Sequence, residues 1–341
     1  LGWNNQVSAN QRGVGPVSSE SLKVVVGSLL TPELQQRFRA SIPQASIAFY
    51  DHDEVANNIA DAEVVIAWGL TSEHLASASK LKWVQTISAG VDRIDGKTLR
   101  ERGIPLTNSS GIHAPNIAEH IIAMMLSFAR QLPHYVTKQQ EHEWDRKWGR
   151  EDGLSAFEVT DQTMLVVGLG KIGEALAVRS KGLQMRVLGT RRRLGIERMS
   201  AVDELFPLSE LKARIGEADH VAITLPLTAE TRGMFDAEVL RAMKPGAYLY
   251  NIGRGPIVDQ DMLIELLKSG HLGGAGLDVT TPEPLPADSE LWDLPNVILT
   301  PHSSGSSPKL WERATTLWIE NMQRFIGGRE LLNIVDVDAG Y

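Results

Sequence analysis

Short apolar runs alternate with longer stretches of helical period from Leu22 onward, and that alternation predicts an α/β protein. The runs at 22–26, 46–50, 63–67, 83–87 and 104–107 predict the strands of a small α/β domain. A helix is predicted from about 115 to 130, because Ile117, Ile121, Met124, Met125 and Phe128 recur on one face. Pro133 is expected to end it, and the polar segment 134–156, with Trp144 and Trp148, is expected to cross between domains. Six more strands, at 164–167, 186–190, 220–225, 247–251, 275–279 and 297–300, succeed one another with helical stretches between them. Alternation of that length predicts a parallel, doubly wound sheet. Asp259 is placed to cap a helix carrying Met262, Leu263, Leu266 and Leu267, with Gly270 just past its end. Ser307 and Pro308 open a last helix with Trp311, Ala314, Trp318, Met322 and Phe325 along one side, stopped at Gly327. Met124, Met125 and these tryptophans read as core. Residues 1–21, rich in Asn, Gln, Ser and Gly, read as a tail outside the folded domains.

The most specific local signal is Gly168, Gly170 and Gly173, a G-x-G-x-x-G between the strand at 163–167 and a helical stretch at 174–181. The first Gly permits a tight turn, the second lets a pyrophosphate reach the backbone, and the third lets helix and strand pack closely. Bare, the motif is weak in a chain with 30 Gly; the strand before it and the helix after it carry the inference of a dinucleotide site. About 20 residues on, an NAD site would place Asp or Glu on the ribose 2′-hydroxyl. This chain has Thr190, Arg191, Arg192 and Arg193 there. Arginine matches a 2′-phosphate, so NADP(H) is expected in preference to NAD(H), which stays possible.

Composition narrows the rest. At 341 residues the chain is long enough for two domains, and 43% hydrophobic with 22% charged residues is ordinary for a globular protein. A net charge of −8 argues against a nucleic-acid partner, and the short arginine cluster does not reverse that. With no cysteine, disulfides, thiolate catalysis and cysteine-ligated metals are excluded; no metal site is read, and the lack of cysteine fits a cytoplasmic location. No apolar run has the length of a membrane span, and no signal peptide is read.

Ligands of open α/β sheets bind beyond the carboxyl ends of the strands. Arg254, Glu283 and His302 each follow a different strand of the second domain. Together they offer a cation for an anionic substrate, a carboxylate and an acid–base group, which is the set that ketone reduction by hydride transfer requires. Glu283, bonded to His302, would fix its tautomer and favour the imidazolium; Arg254 would bind a substrate carboxylate and polarise the carbonyl. Asp278 reads as an acceptor for the nicotinamide amide or as a support for its neighbours. His52, His74, His134, His142, His220 and His271 read as structural.

In these stretches the chain resembles the D-isomer-specific 2-hydroxyacid dehydrogenase family, over nearly everything from Leu22 to Val335. The likeness is strongest at 225–228, 243–259, 276–285 and 300–302. It implies a Rossmann cofactor domain at 112–306 and a smaller flavodoxin-like substrate domain, discontinuous over 22–111 and 307–335. For the cofactor it implies Gly168, Gly170, Lys171, Ile172, Gly173, Thr190, Arg191, Arg192, Leu225, Pro226, Thr231, Ile252, Gly253, Asp278, His302 and Ser304. For the substrate it implies the loop amides of Ala89 and Gly90, with Arg254 and His302. It also implies a homodimer in which Trp144 and Trp148 approach a neighbouring site. Glu283 departs from the formate dehydrogenase branch, where a Gln is expected. The arginine cluster and Ser303 to Gly305 are similar to the NADPH-preferring glyoxylate and hydroxypyruvate reductases, which implies reduction of a 2-keto acid to the D-2-hydroxy acid, with small, branched and aromatic side chains all open. A phosphite dehydrogenase-like activity and a dinucleotide-sensing scaffold resembling the C-terminal-binding corepressors are the alternatives.

Overall fold

The computed structural model describes residues 21–145, 156–191 and 200–337. Residues 1–20 of the expected tail, Trp148, Arg192 and Arg193 lie outside them. The chain forms two compact units: one runs to Ile112 and resumes at Pro308, and the other is His113–Ser307.

The first unit begins with β1 (Leu22–Gly27), α1 (Pro32–Ser41), β2 (Ala45–Tyr50), β3 (Val64–Ala67), α2 (Ser72–Ser77), β4 (Trp83–Thr86), α3 (Gly96–Glu101) and β5 (Leu106–Thr107). The second holds α4 (Ala114–Ala129), α5 (Leu132–Gln140), β6 (Thr163–Val167), α6 (Lys171–Gly182), β7 (Arg186–Arg191) and β8 (Glu204–Pro207). It continues through α7 (Leu211–Arg214), β9 (His220–Ile223), α8 (Ala237–Arg241), β10 (Tyr248–Asn251), α9 (Gln260–Lys268), β11 (Gly274–Leu277) and β12 (Val297–Leu299). Helix α10 (Leu310–Ile326) returns to the first unit.

In the first unit the parallel strands run β2-β1-β3-β4-β5, the flavodoxin-like order. Strands β3 and β4 are buried throughout; β3 reads as an unbroken apolar run for that reason, while β4 also buries Gln85 and Thr86. Helix α10 drives Ala314, Trp318, Met322 and Phe325 into the core formed with Phe38 and Trp83. Trp83 stacks on Phe325 with ring centroids 5.4 Å apart, and the Trp318 indole N–H donates to Ser109 Oγ at 3.1 Å.

In the second unit the parallel order is β12-β11-β10-β9-β6-β7-β8. It winds outward in both directions from β6, so its switch point lies between β6 and β9, and a crevice opens beyond their carboxyl ends. Three expectations need correction here. Pro133 does not end the helix before it: α4 stops where Gln131 turns left-handed (φ 56°), and Pro133 sits in the first turn of α5, where its missing N–H is harmless. The described part of the segment after it, residues 134–145, lies within the second unit instead of crossing out of it. Strand β8 went unpredicted, since Glu204 and Leu205 are exposed on this edge and supply no apolar run. Trp144 is 85% exposed.

At the opposite end of this sheet His220 is fully buried among the rings of Phe157, Tyr248 and Tyr250. Its Nδ1 meets Tyr250 Oη at 3.0 Å and its Nε2 meets Gln162 Oε1 at 2.6 Å. Burial pushes its pKa down to about 4. Because the unfolded imidazole takes up a proton near pH 6.5 and the folded one does not, this contribution to stability is complete above that value and fades as pH falls toward 4. Unfolding by urea should therefore show about 2 kcal/mol less stability at pH 5 than at pH 7.5 from this residue. His220→Gln should flatten that difference; a variant with the wild-type slope would assign the effect elsewhere.

Candidate active site

The glycine loop closes the carboxyl end of β6 and opens α6. Gly168 has φ +105°, which an L side chain rarely adopts, and Gly173 lies so close that a Cβ would stand 2.5 Å from the Gly168 carbonyl oxygen. Gly170 caps the helix, and a Cβ there would meet nothing within 4 Å. The loop thus combines a tight turn, close packing and open space before a helix N-terminus, the cradle a dinucleotide diphosphate needs. Lys171 and Ile172 follow in the first turn of α6. Thr190 lies fully buried under the loop, its Oγ accepting from Gly168 N at 3.1 Å, while Thr224 Oγ donates to Gly168 O at 2.6 Å.

Neighbouring strand ends supply the rest of the crevice. After β9, Leu225 and Pro226 lead into a turn in which Thr231 Oγ donates to Pro226 O at 2.7 Å and accepts from Thr228 N at 2.8 Å. After β10, Ile252 is buried, and Gly253 N donates to Asn251 Oδ1 at 3.0 Å. Arg191, the last residue of β7, lies with Nη2 3.7 Å from Glu174 Oε1; the other oxygen of Glu174 stands 3.7 Å from Lys171 Nζ.

The acid–base candidates stand beyond β10, β11 and β12. Arg254 follows β10 in extended backbone, with Nη1 donating to Gly253 O at 2.8 Å, and Asn251 Nδ2 holding the Arg254 carbonyl at 3.1 Å. His302 follows β12 with φ +50°, in the left-handed region. Its Nδ1 is 2.8 Å from Glu283 Oε2, and both side chains are partly exposed, at 49% and 38%. The other Glu283 oxygen accepts from Thr280 N at 3.2 Å, which fixes the carboxylate toward the ring. A carboxylate only accepts, so the imidazole donates from Nδ1 and leaves Nε2 for a substrate.

Asp278 is 2% exposed. Its Oδ1 accepts from the Thr300 hydroxyl (2.6 Å) and Ser303 N (2.9 Å), and its Oδ2 accepts from Ser304 N (3.1 Å). Burial alone would raise its pKa, but the donations from Ser304, Thr300 and Ser303 together hold the carboxyl below its ordinary value. Its backbone oxygen takes His302 N at 2.8 Å. One buried carboxylate therefore ties down the loop that carries His302. Thr300, and the side chains of His113 at the N-cap of α4 and of Asn116 and His120 within it that reach this loop, were not singled out from the sequence. The spacing of the three was available; what they face was not. In the first unit, Ala89 and Gly90 follow β4 in a loop braced by Asn108 Nδ2 to Ala89 O (3.0 Å) and by the Ser88 hydroxyl to Gly90 O (2.5 Å).

Residues 122–304 match the family model described as D-isomer specific 2-hydroxyacid dehydrogenase, NAD binding domain. Over 272 residues the chain is 36% identical to a glyoxylate reductase of Korarchaeum cryptofilum, covering 79% of this chain and 80% of that one. Over 312 residues it is 35% identical to glyoxylate/hydroxypyruvate reductase B of Pectobacterium atrosepticum, covering 90% and 94%. Among solved structures, the NADPH-dependent glyoxylate/hydroxypyruvate reductase of Sinorhizobium meliloti, in complex with NADP and sulfate, matches with a TM-score of 0.78 at 29% identity, over 94% of this chain and 100% of that one.

Proposed function

Because the chain belongs to the D-isomer specific 2-hydroxyacid dehydrogenase family, we propose that it reduces a small 2-keto acid to the D-2-hydroxy acid with NADPH. The observation that carries this reading is the His302–Glu283 pair, 2.8 Å apart at the carboxyl end of the sheet that bears the glycine loop. Held at Gly168, Gly170 and Gly173, the nicotinamide dinucleotide supplies the hydride. The chain's own residues supply the rest. His302 gives the proton from Nε2 to the oxygen that becomes the hydroxyl, passing from imidazolium to neutral imidazole. Glu283 orients the ring through Nδ1 and stabilises the imidazolium before the transfer. Arg254 pairs with the substrate carboxylate and draws electron density from the carbonyl. Small substrates of the glyoxylate and hydroxypyruvate kind are supported by the activities of the two relatives named above. The preference for NADPH is supported by Arg191 at the end of β7, where the sequence has Thr190, Arg191 and Arg192 in place of an Asp or Glu for the ribose 2′-hydroxyl.

The test is loss of NADPH absorbance with a panel of 2-keto acids, run in parallel with NADH. Rapid turnover of the small acids with NADPH is the expected result; NADPH binding without turnover of any member would overturn the reaction. Arg191→Ala combined with Arg192→Ala should raise KM for NADPH about 10- to 100-fold and leave that for NADH nearly unchanged. An equal loss for both cofactors would remove these arginines from 2′-phosphate recognition.

A further inference from the structure

Helix α4 carries a polar stripe that the proposed reaction leaves unused. His113, Asn116 and His120 are three and four residues apart, so they share one face. All three reach the segment after β12. His113 Nδ1 meets Gly305 O at 3.0 Å, Asn116 Nδ2 donates to Ser304 O at 2.6 Å, and His120 Nε2 meets Thr300 Oγ at 3.0 Å. The apolar side of the same helix lies on β11, where Met124 leaves no room for a Cβ at Gly276. The stripe is therefore held at a set height above the strand that Asp278 follows.

The direction of the hydrogen bonds follows from donor counts. The Thr300 hydroxyl has one hydrogen and stands 2.6 Å from Asp278 Oδ1, an oxygen that accepts. Its hydrogen goes there, so the contact with His120 is made by a Thr300 lone pair, and His120 donates from Nε2. Asp278 in turn receives Ser303 N and Ser304 N on its carboxylate and His302 N on its backbone oxygen. His302 is left-handed at φ +50°, a conformation seldom adopted by residues other than glycine and kept where the surroundings support it. The surroundings are this relay.

We propose that His120 is a positioning residue for proton transfer, acting on His302 through Thr300 and Asp278. This rests on the reductase reading, in which His302 is the proton donor. The relay fixes the His302 backbone, and neither His120 nor Thr300 is assigned to the keto acid or the dinucleotide, so the loss of either falls on turnover.

Steady-state kinetics of His120→Ala, His120→Gln, Thr300→Val and the His120→Ala/Thr300→Val pair test it. His120→Ala should lower kcat about fivefold to twentyfold, the effect of one hydrogen bond, with KM for the keto acid and Kd for NADPH within about twofold of wild type. His120→Gln, whose amide N–H takes the place of Nε2–H, should recover most of that loss. The pair should be no worse than Thr300→Val alone, because both changes break one chain. A residue that only stabilises the fold would lower stability without this split between kcat and KM. An unaltered kcat in His120→Ala, a Gln variant no better than Ala, or losses that multiply in the pair would each overturn the proposal. Should His120→Ala fail to fold, His120→Gln and Thr300→Val still decide it. If the wild-type chain turns over no 2-keto acid, the reaction falls and the relay is judged by the imidazole ¹⁵N spectrum. His120 protonated at Nε2, with a slowly exchanging proton that Thr300→Val loses, supports the relay; protonation at Nδ1 alone overturns it.

Discussion

His302→Ala should lower kcat for 2-keto acid reduction by about 10²–10⁴-fold while leaving NADPH binding nearly intact. The size follows from what the side chain does in the proposed step. Without a donor, the carbonyl oxygen, which takes the π pair as hydride adds to the carbon, must draw its proton from water, which is neither held in place nor acidic enough near neutral pH. The cofactor signature is separate: the glycine loop closes β6 and opens α6, whereas His302 follows β12 at the far edge of the sheet. Kd for NADPH from fluorescence and kcat from turnover on the same preparation would check the split. Near-normal turnover would take His302 out of the reaction. Glu283→Gln should be milder, because the ring keeps a hydrogen-bond partner at Nδ1 and loses only the charge that favours the imidazolium.

Arg254→Ala should lower kcat/KM for the keto acid by about 10²–10³-fold, with both KM and kcat affected. A guanidinium binds a carboxylate with two parallel N–H bonds, and its charge counters the negative charge that grows on the carbonyl oxygen. The first effect belongs to binding and the second to the transition state, so one change moves both constants. Arg254→Lys keeps the charge and loses the fork, and should recover only part of the activity. The backbone at this position is held independently of the side chain, by Asn251 Nδ2 on the Arg254 carbonyl, so either replacement leaves the loop in place. A KM for the keto acid unchanged in Arg254→Ala would separate this residue from the carboxylate.

Much of this protein is determined by properties that act over a few residues, and those the sequence carries openly. Buried parallel strands such as Val64–Ala67 and Thr163–Val167 must be apolar on both faces, so they stand out as runs. A turn that needs positive φ and a helix that needs close approach leave Gly168 and Gly173 few substitutes. Asp259 caps α9 through its own side chain, three residues from the N–H it accepts. The positions of Arg254, Glu283 and His302 after β10, β11 and β12 are likewise legible, because the strands before them read as apolar runs.

Tertiary structure decided the rest, because hydrogen bonds between distant segments leave no periodic trace. The edge strand Glu204–Pro207 exists through its pairing with β7, not through a pattern of its own. The helix before Pro133 stops where Gln131 turns left-handed, and Pro133 then sits in the first turn of the next one. His120 and Thr300 are 180 residues apart in the chain and 3.0 Å apart in space, and nothing local distinguishes this histidine from one that merely faces solvent. The sequence determined which residue types reach the sheet's carboxyl end; the packing of α4 on β11 decided which of them hold His302 in place.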